Sequence, residues 1–166
     1  MQSSQPLRSI RLWLSIFIAG LILSGITAFP LEHETAWLAS ILTAHPILPR
    51  GIVLWVDRVY QALYYDSIHA PFLAYGTDWL AFAHLVLAVA FLGPLIDPVR
   101  NKWVLQFGVV ACVGVPLLAF IAGPIRGIPL PWRFIDSSFG VFGAIPLLVC
   151  LHRVSRIELS RGLDST

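Results

Sequence analysis

Four long runs of apolar residues restrict the fold of this chain more than any other feature. They cover residues 12–29, 79–96, 103–123 and 134–151. Each is close to the roughly 20 residues that a helix needs to cross the hydrocarbon core of a bilayer. The composition agrees, because 57% of the residues are hydrophobic and only 12% are charged, unlike a soluble domain. The sequence therefore predicts an all-α integral membrane protein, a bundle of four transmembrane helices forming one domain over residues 1–166.

The first run follows Arg8 and Arg11, a layout that secretory signal peptides share. A cleavable signal has a shorter apolar core and a small residue at the minus-three position. Cleavage after Ala28 would place the bulky Ile26 there. The first run is therefore expected to remain as a membrane-spanning helix.

The distribution of the eleven Lys and Arg residues predicts the orientation. Arg50, Arg58, Arg126 and Arg133 fall on one side of the predicted spans, and the other basic residues fall on the opposite side. Cytoplasmic loops carry the excess of basic residues, so both termini are predicted to be cytoplasmic and these four arginines to lie outside. The cytoplasmic (inner) membrane is the expected location. No basic cluster is interleaved with aromatic residues, so nucleic acid is not expected as a partner.

The connection of residues 30–77 is long, lies on the predicted outer side and is too apolar for a solvated loop. In each of two stretches the large apolar side chains share one helical face. They are Trp37, Leu38, Ile41 and Leu42 in the first stretch, and Ile52, Val56, Val59, Tyr60 and Leu63 in the second. Pro46, Pro49 and Gly51 separate the stretches. An amphipathic helical cap on the membrane surface is predicted, either as a stabilising platform or as a lid over a pocket.

The second span contains a histidine within an otherwise apolar helix. Asp78 stands near the outer start of the span, and His84 lies six residues further, about 9 Å deeper along the axis. The two side chains are about 240° apart around the helix, so they do not share a face. A polar residue at this depth is expected to face protein or a water-filled cavity, which makes His84 a candidate functional residue.

The expected partner of His84 is Asp136, because Asp136 begins the fourth span on the same outer side. Arg126 and Arg133 stand on the short loop just before it, and guanidinium groups match the oxygens of phosphates and carboxylates. We therefore predict an outward polar pocket in which His84 and Asp136 hydrogen-bond the ligand or exchange a proton with it. The predicted ligand-binding side chains are Asp78, Arg126, Arg133, His69, Tyr75 and Glu32.

The function predicted from this pocket is binding of a lipid-like or prenyl-phosphate-like amphiphile. Two alternatives stay open: an enzyme acting on a lipid, with His84 and Asp136 as the acid–base pair, and a structural subunit that packs against a second copy or another membrane protein. A purely structural interpretation of the polar residues is also open. In it Arg133 pairs with Asp136, Arg126 reaches lipid head groups, and His84 bonds a neighbouring carbonyl.

No metal and no cofactor are expected. Glu32, His33, Glu34, His69, Asp78 and His84 are possible metal ligands by residue type, but no two of these six have the three- or four-residue spacing that fixes two ligands on one helix. Cys112 and Cys150 have no CxxC spacing, and the sequence contains no nucleotide-binding, zincin or serine-hydrolase motif.

Two stretches resemble known families. "TDWLAFAHLVLA" and "RFIDSSFGVFGA" resemble the starts of the second and fourth spans of VanZ-like proteins. Asp136 and Gly143 match the D-x3-N-x2-G pattern of that family, whereas Gly140 stands at the Asn position. The order of a span, an amphipathic outer segment and three more spans is also similar to the EXPERA superfamily of sterol isomerases and sigma-2-receptor-like proteins. That likeness implies a lipid-accessible pocket with polar groups near Glu32 and His84.

Overall fold

The computed structural model describes residues 4–45 and 48–163, with the side chains of 7–45 and 48–160, so Pro46 lies outside the described residues. The described chain is helical and contains no strand, which confirms the predicted all-α class. A 3-10 turn, Pro71–Leu73, follows the third helix. The helices are α1 (Ser4–Ala28), α2 (Leu31–Ala44), α3 (Arg50–His69), α4 (Ala74–Ala90), α5 (Leu92–Ile96), α6 (Lys102–Ile125) and α7 (Leu130–Leu163).

Four of the described segments are long and apolar enough to cross a membrane: Leu7–Ala28, Pro71–Ile96, Lys102–Ile125 and Leu130–Ser160. Their number confirms the predicted bundle of four spanning helices. Only 22–28% of the most apolar window in each segment is buried inside the protein. Most apolar side chains of the spans are therefore left for contact with lipid.

The second span is interrupted between α4 and α5. Pro94 has no N–H group, so it donates no hydrogen bond to the carbonyl of Ala90. The helical pattern resumes around it, since Phe91 N–H donates to the Leu87 carbonyl and Leu95 N–H to the Phe91 carbonyl, both at 3.2 Å. The break is therefore a local consequence of one proline.

The chain forms two compact units. The first consists of the residues up to Leu21 together with those from Leu87 onward, and the second is Ile22–Val86. The boundary between them falls within α1 and within α4. The single domain expected over the whole chain stays a prediction.

Helices α6 and α7 make the main helix pair of the first unit, and glycines allow their close approach. A Cβ added at Gly108 would lie 2.6 Å from Phe91 Cζ and 2.7 Å from Leu147 Cδ1. A Cβ added at Gly140 would overlap the backbone oxygen of Cys112. Around these contacts lies a core built from α1, the α4–α5 segment, α6 and α7, and it includes Ile10, Leu14, Ala88, Phe91, Leu105, Leu147, Cys150 and Val154.

In the second unit α2 packs against α3. The apolar face predicted for α3 is the face that is covered: Val56 is only 2% exposed, and Ile52, Val59, Tyr60 and Leu63 are half-buried. On α2 the covered residues are Ala39 and Leu42, whereas Trp37 is 68% exposed. Trp37 lies about 200° from Ala39 around the helix, so its ring cannot share the contact with α3.

Candidate functional site: a cavity between helix ends in the second unit

A cavity of about 500 Å³ lies in the second unit, where α1 is followed by α2 and where α3 is followed by α4. Most of its wall is apolar, and a smaller part carries polar side chains. The apolar lining residues are Phe29, Pro30, Leu31, Leu63, Ala70, Pro71, Leu73 and Ala74. The polar lining residues are Glu32, His33, Asp66, Ser67 and Thr77.

Two proline-directed helix breaks build the walls of the cavity. Pro30 precedes α2, and its carbonyl accepts a hydrogen bond from Glu34 N–H at 3.0 Å. Ala70 ends α3, and its N–H donates to the Asp66 carbonyl at 2.8 Å before Pro71 opens the 3-10 turn. A residue before proline is disfavoured in the helical region, so α3 ends here. Each break turns the chain and leaves space beside it.

The cavity lies beside the ends of two of the candidate membrane spans. The first span ends at Ala28, and the cavity wall begins at Phe29. The second span begins at Pro71, which is itself part of the wall. Exposed aromatic side chains one to two turns further, Tyr75 and Trp79, make an edge-to-face pair with ring centroids 5.9 Å apart. Such rings favour the head-group level of a bilayer, which agrees with an interfacial position of the cavity.

Four of the five polar side chains in the cavity are hydrogen-bond acceptors, and the fifth, His33, has an imidazole that can both donate and accept. The hydroxyl of Ser67 donates to the Tyr64 carbonyl at 2.8 Å and that of Thr77 to the Ala74 carbonyl at 2.6 Å, so each offers a ligand only its oxygen lone pairs. Glu32 and Asp66 are half-buried and form no ion pair with any described side chain. Ionised carboxylates are acceptors only. Acceptors therefore predominate in the lining, which favours a ligand that carries hydrogen-bond donors.

His84, the predicted catalytic residue, does not line this cavity. It is half-buried on α4, and its Nδ1 lies 2.7 Å from the Leu80 carbonyl oxygen. A carbonyl only accepts, so Nδ1–H is the donor in this contact. This bond to a neighbouring carbonyl is the one expected in the structural interpretation of His84.

The other predicted residues of the second unit lie at different places. Asp78 is half-buried on α4, and Tyr75 is exposed one turn before it. His69 is exposed, donates from Nδ1 to the Tyr65 carbonyl at 2.9 Å, and stacks on the Tyr65 ring with centroids 4.0 Å apart. Of the predicted residues in this unit, Glu32 is the one that the cavity includes.

Asp136, Arg126 and Arg133 belong to the first unit. Arg133 Nε donates to the Ile128 carbonyl at 2.7 Å, and in the described part of the chain Arg133 makes no ion pair with Asp136. The pairing of these two residues in the structural interpretation is therefore absent. The roles assigned to Asp78, His84, Asp136, His69, Tyr75, Arg126 and Arg133 stay predictions.

Asp66 is one of the polar lining residues that sequence reasoning missed. It comes three residues after Leu63, on the helical face that α3 turns toward protein, and four residues before the Ala70–Pro71 break. The sequence did offer one signal: Asp66 is a carboxylate on the same helical face as the buried apolar residues of α3, shortly before Pro71. Asp66 and Glu32 line the same cavity only because of the fold, and no sequence pattern indicates that they lie there together.

Comparison of the chain with protein-family models, with curated proteins and with solved structures finds no match. The likenesses to VanZ-like proteins and to the EXPERA superfamily therefore stay predictions. The fold defines the class of protein, an all-α integral membrane protein with four spanning helices.

Proposed function

We propose that the protein binds a membrane amphiphile in the cavity of the second unit. The observation that carries this proposal is a space of about 500 Å³ with apolar walls and a polar lining rich in hydrogen-bond acceptors, next to the ends of two membrane spans. Ligand pockets in proteins typically hold about 300–1,000 Å³ and combine apolar walls with a few polar groups. The apolar tail of the ligand would lie against residues such as Leu63 and Leu73.

The head group of this amphiphile carries a hydroxyl or an amine. Glu32 and Asp66 would accept hydrogen bonds from such a group, and a protonated amine would gain charge-assisted bonds to them. A phosphate would face two carboxylates in the same cavity, and like charges in a partly buried site repel strongly. The prenyl-phosphate-like head expected from the sequence is therefore not the one this cavity favours.

Native mass spectrometry of the gently extracted protein, with lipid analysis of what co-purifies, tests the proposal. The parent protein is expected to retain a discrete hydroxyl- or amine-bearing amphiphile. Glu32→Gln and Asp66→Asn should weaken its retention, and Ala74→Phe, which places a bulky ring in the cavity, should weaken it as well.

Glu34→Gln is the matched control for these variants. Glu34 lies on α2 two residues after Glu32, is exposed and does not line the cavity. It should retain the amphiphile at the parent level. Equal occupancy in the parent, Glu34→Gln and Ala74→Phe proteins, at equal thermal stability, would refute binding in the cavity.

A further inference from the structure

The turn between α6 and α7 is fixed by a hydrogen-bonded helix end. Gly127 has a φ of +69°, a conformation that side chains with a Cβ rarely adopt. Gly127 N–H donates to the Pro124 carbonyl at 3.1 Å, and Ile128 N–H donates to the Gly123 carbonyl at 2.9 Å. These two bonds form a Schellman motif, which satisfies the last carbonyls of α6 and holds the turn in one shape.

Arg133 is held against this turn at two points. Its Nε donates to the Ile128 carbonyl at 2.7 Å. Its aliphatic stem lies over Gly123, where an added Cβ would be 2.9 Å from Arg133 Cδ. The side chain is therefore positioned before any ligand arrives, which lowers the entropy cost of binding through it.

The guanidinium of Arg133 still has most of its donors available. Arginine carries five N–H donors, and the Nε–H is the one that Ile128 uses. The terminal nitrogens make no hydrogen bond and no ion pair to the described residues. Arg126, at the C-cap of α6, is exposed and likewise has no carboxylate partner in the described part of the chain. Among the described residues, these two arginines near the α6–α7 turn thus have no carboxylate within ion-pair distance.

We propose that Arg133 and Arg126 form a binding site for a phosphate group, distinct from the cavity of the second unit. The terminal nitrogens of a guanidinium present paired donors that match two phosphate oxygens. The turn lies between Ile125, the end of the third span, and Leu130, the start of the fourth. The phosphate of an anionic lipid is available at this level of the bilayer, and a free phosphate could reach the same groups from the water.

Titration of the purified protein in phosphatidylcholine nanodiscs with phosphatidylglycerol tests the site, with lipid binding read by native mass spectrometry. Arg126→Gln, which leaves the backbone cap in place, should weaken phosphatidylglycerol binding about fivefold, since a basic residue near an anionic surface contributes on the order of 1 kcal/mol. Arg133→Lys should weaken it to a similar degree, because it keeps the charge and loses the planar fork.

Arg58→Gln is the control, because Arg58 is an exposed arginine on α3 in the second unit. If Arg58→Gln lowers the affinity as much as Arg126→Gln and Arg133→Lys do, or if none of the three lowers it, the site is refuted. Inorganic phosphate added to the same protein distinguishes the source. Competition with phosphatidylglycerol that depends on Arg126 and Arg133 supports a site for phosphate from water, whereas arginine-dependent lipid binding without competition supports a site for lipid phosphate.

Discussion

Lys102, the first residue of α6, donates a hydrogen bond from Nζ to Oε2 of Glu158 on α7 at 2.5 Å. The pair connects the start of one helix to the last turns of the next. Helices joined by a short turn run antiparallel, so this contact holds the end opposite to the α6–α7 turn. Both side chains are about one-third exposed, at 31% and 37%.

Breaking this ion pair should have a small effect on stability. We expect Lys102→Gln to lower the free energy of unfolding by less than about 1 kcal/mol, because partly exposed ion pairs lose much of their attraction to solvent screening. A double-mutant cycle with Glu158→Gln, read by thermal or denaturant unfolding in detergent, isolates the interaction. A coupling energy above about 2 kcal/mol would show that the pair is more shielded than its exposure indicates.

Close packing of α6 on α7 at Gly140 should matter more than the ion pair. Gly140→Ala places a methyl group onto the backbone oxygen of Cys112, and a backbone atom cannot move without shifting its helix. We expect a loss of about 1–3 kcal/mol, the usual cost of overpacking a well-packed contact. The free energy of unfolding in detergent measures it.

Gly114→Ala is the control for this substitution. Gly114 also lies within α6, but an added Cβ there meets nothing within 4 Å. The same change should be neutral or stabilising by up to about 1 kcal/mol, because alanine is the better helix former. A similar loss from both substitutions would mean that the α6–α7 contact is not the cause.

Neighbouring leucines on α7 offer a test of the first unit's core. Leu147 is fully buried next to Gly108, whereas Leu148 is 52% exposed. Leu147→Ala should cost about 2 kcal/mol, near the low end for buried leucines, because in a bilayer the loss is mainly of packing rather than of transfer from water. Leu148→Ala should change the unfolding midpoint little. Equal effects would place Leu148 in a protein contact.

Apolar patterning was enough to predict the fold class and the number of spans. The runs of residues 79–96 and 103–123 are long and nearly free of charge, and length with low charge is what a bilayer selects. Helix ends were harder to predict, because α7 continues past Leu151 into a segment with Arg153 and Arg156 that still forms helix. Beyond the hydrocarbon, helix formation depends on propensity and packing rather than on hydropathy.

The candidate site was harder to predict from the sequence than the fold class was. His84 drew attention because a titratable ring in an apolar span is rare, yet its Nδ1 is used by the Leu80 carbonyl. Glu32 was among the predicted ligand-binding residues, while Asp66 was not. Two helix breaks, at Pro30 and at Pro71, bring Glu32 and Asp66 to the same cavity. A long-range contact of this kind leaves no local periodicity in the sequence.

The proposed cavity and the histidine hypothesis make opposite predictions for His84→Ala. His84 does not line the cavity, and its ring bonds a carbonyl of its own helix, so His84→Ala should retain the amphiphile at the parent level. Glu32→Gln should weaken retention under the same conditions, because Glu32 supplies an acceptor in the cavity. The measurement is the mass and amount of the amphiphile that co-purifies with each variant of equal thermal midpoint. Loss of the ligand from His84→Ala alone would move the binding site to α4. A chemically different amphiphile on His84→Ala would instead support the acid–base role predicted for this histidine.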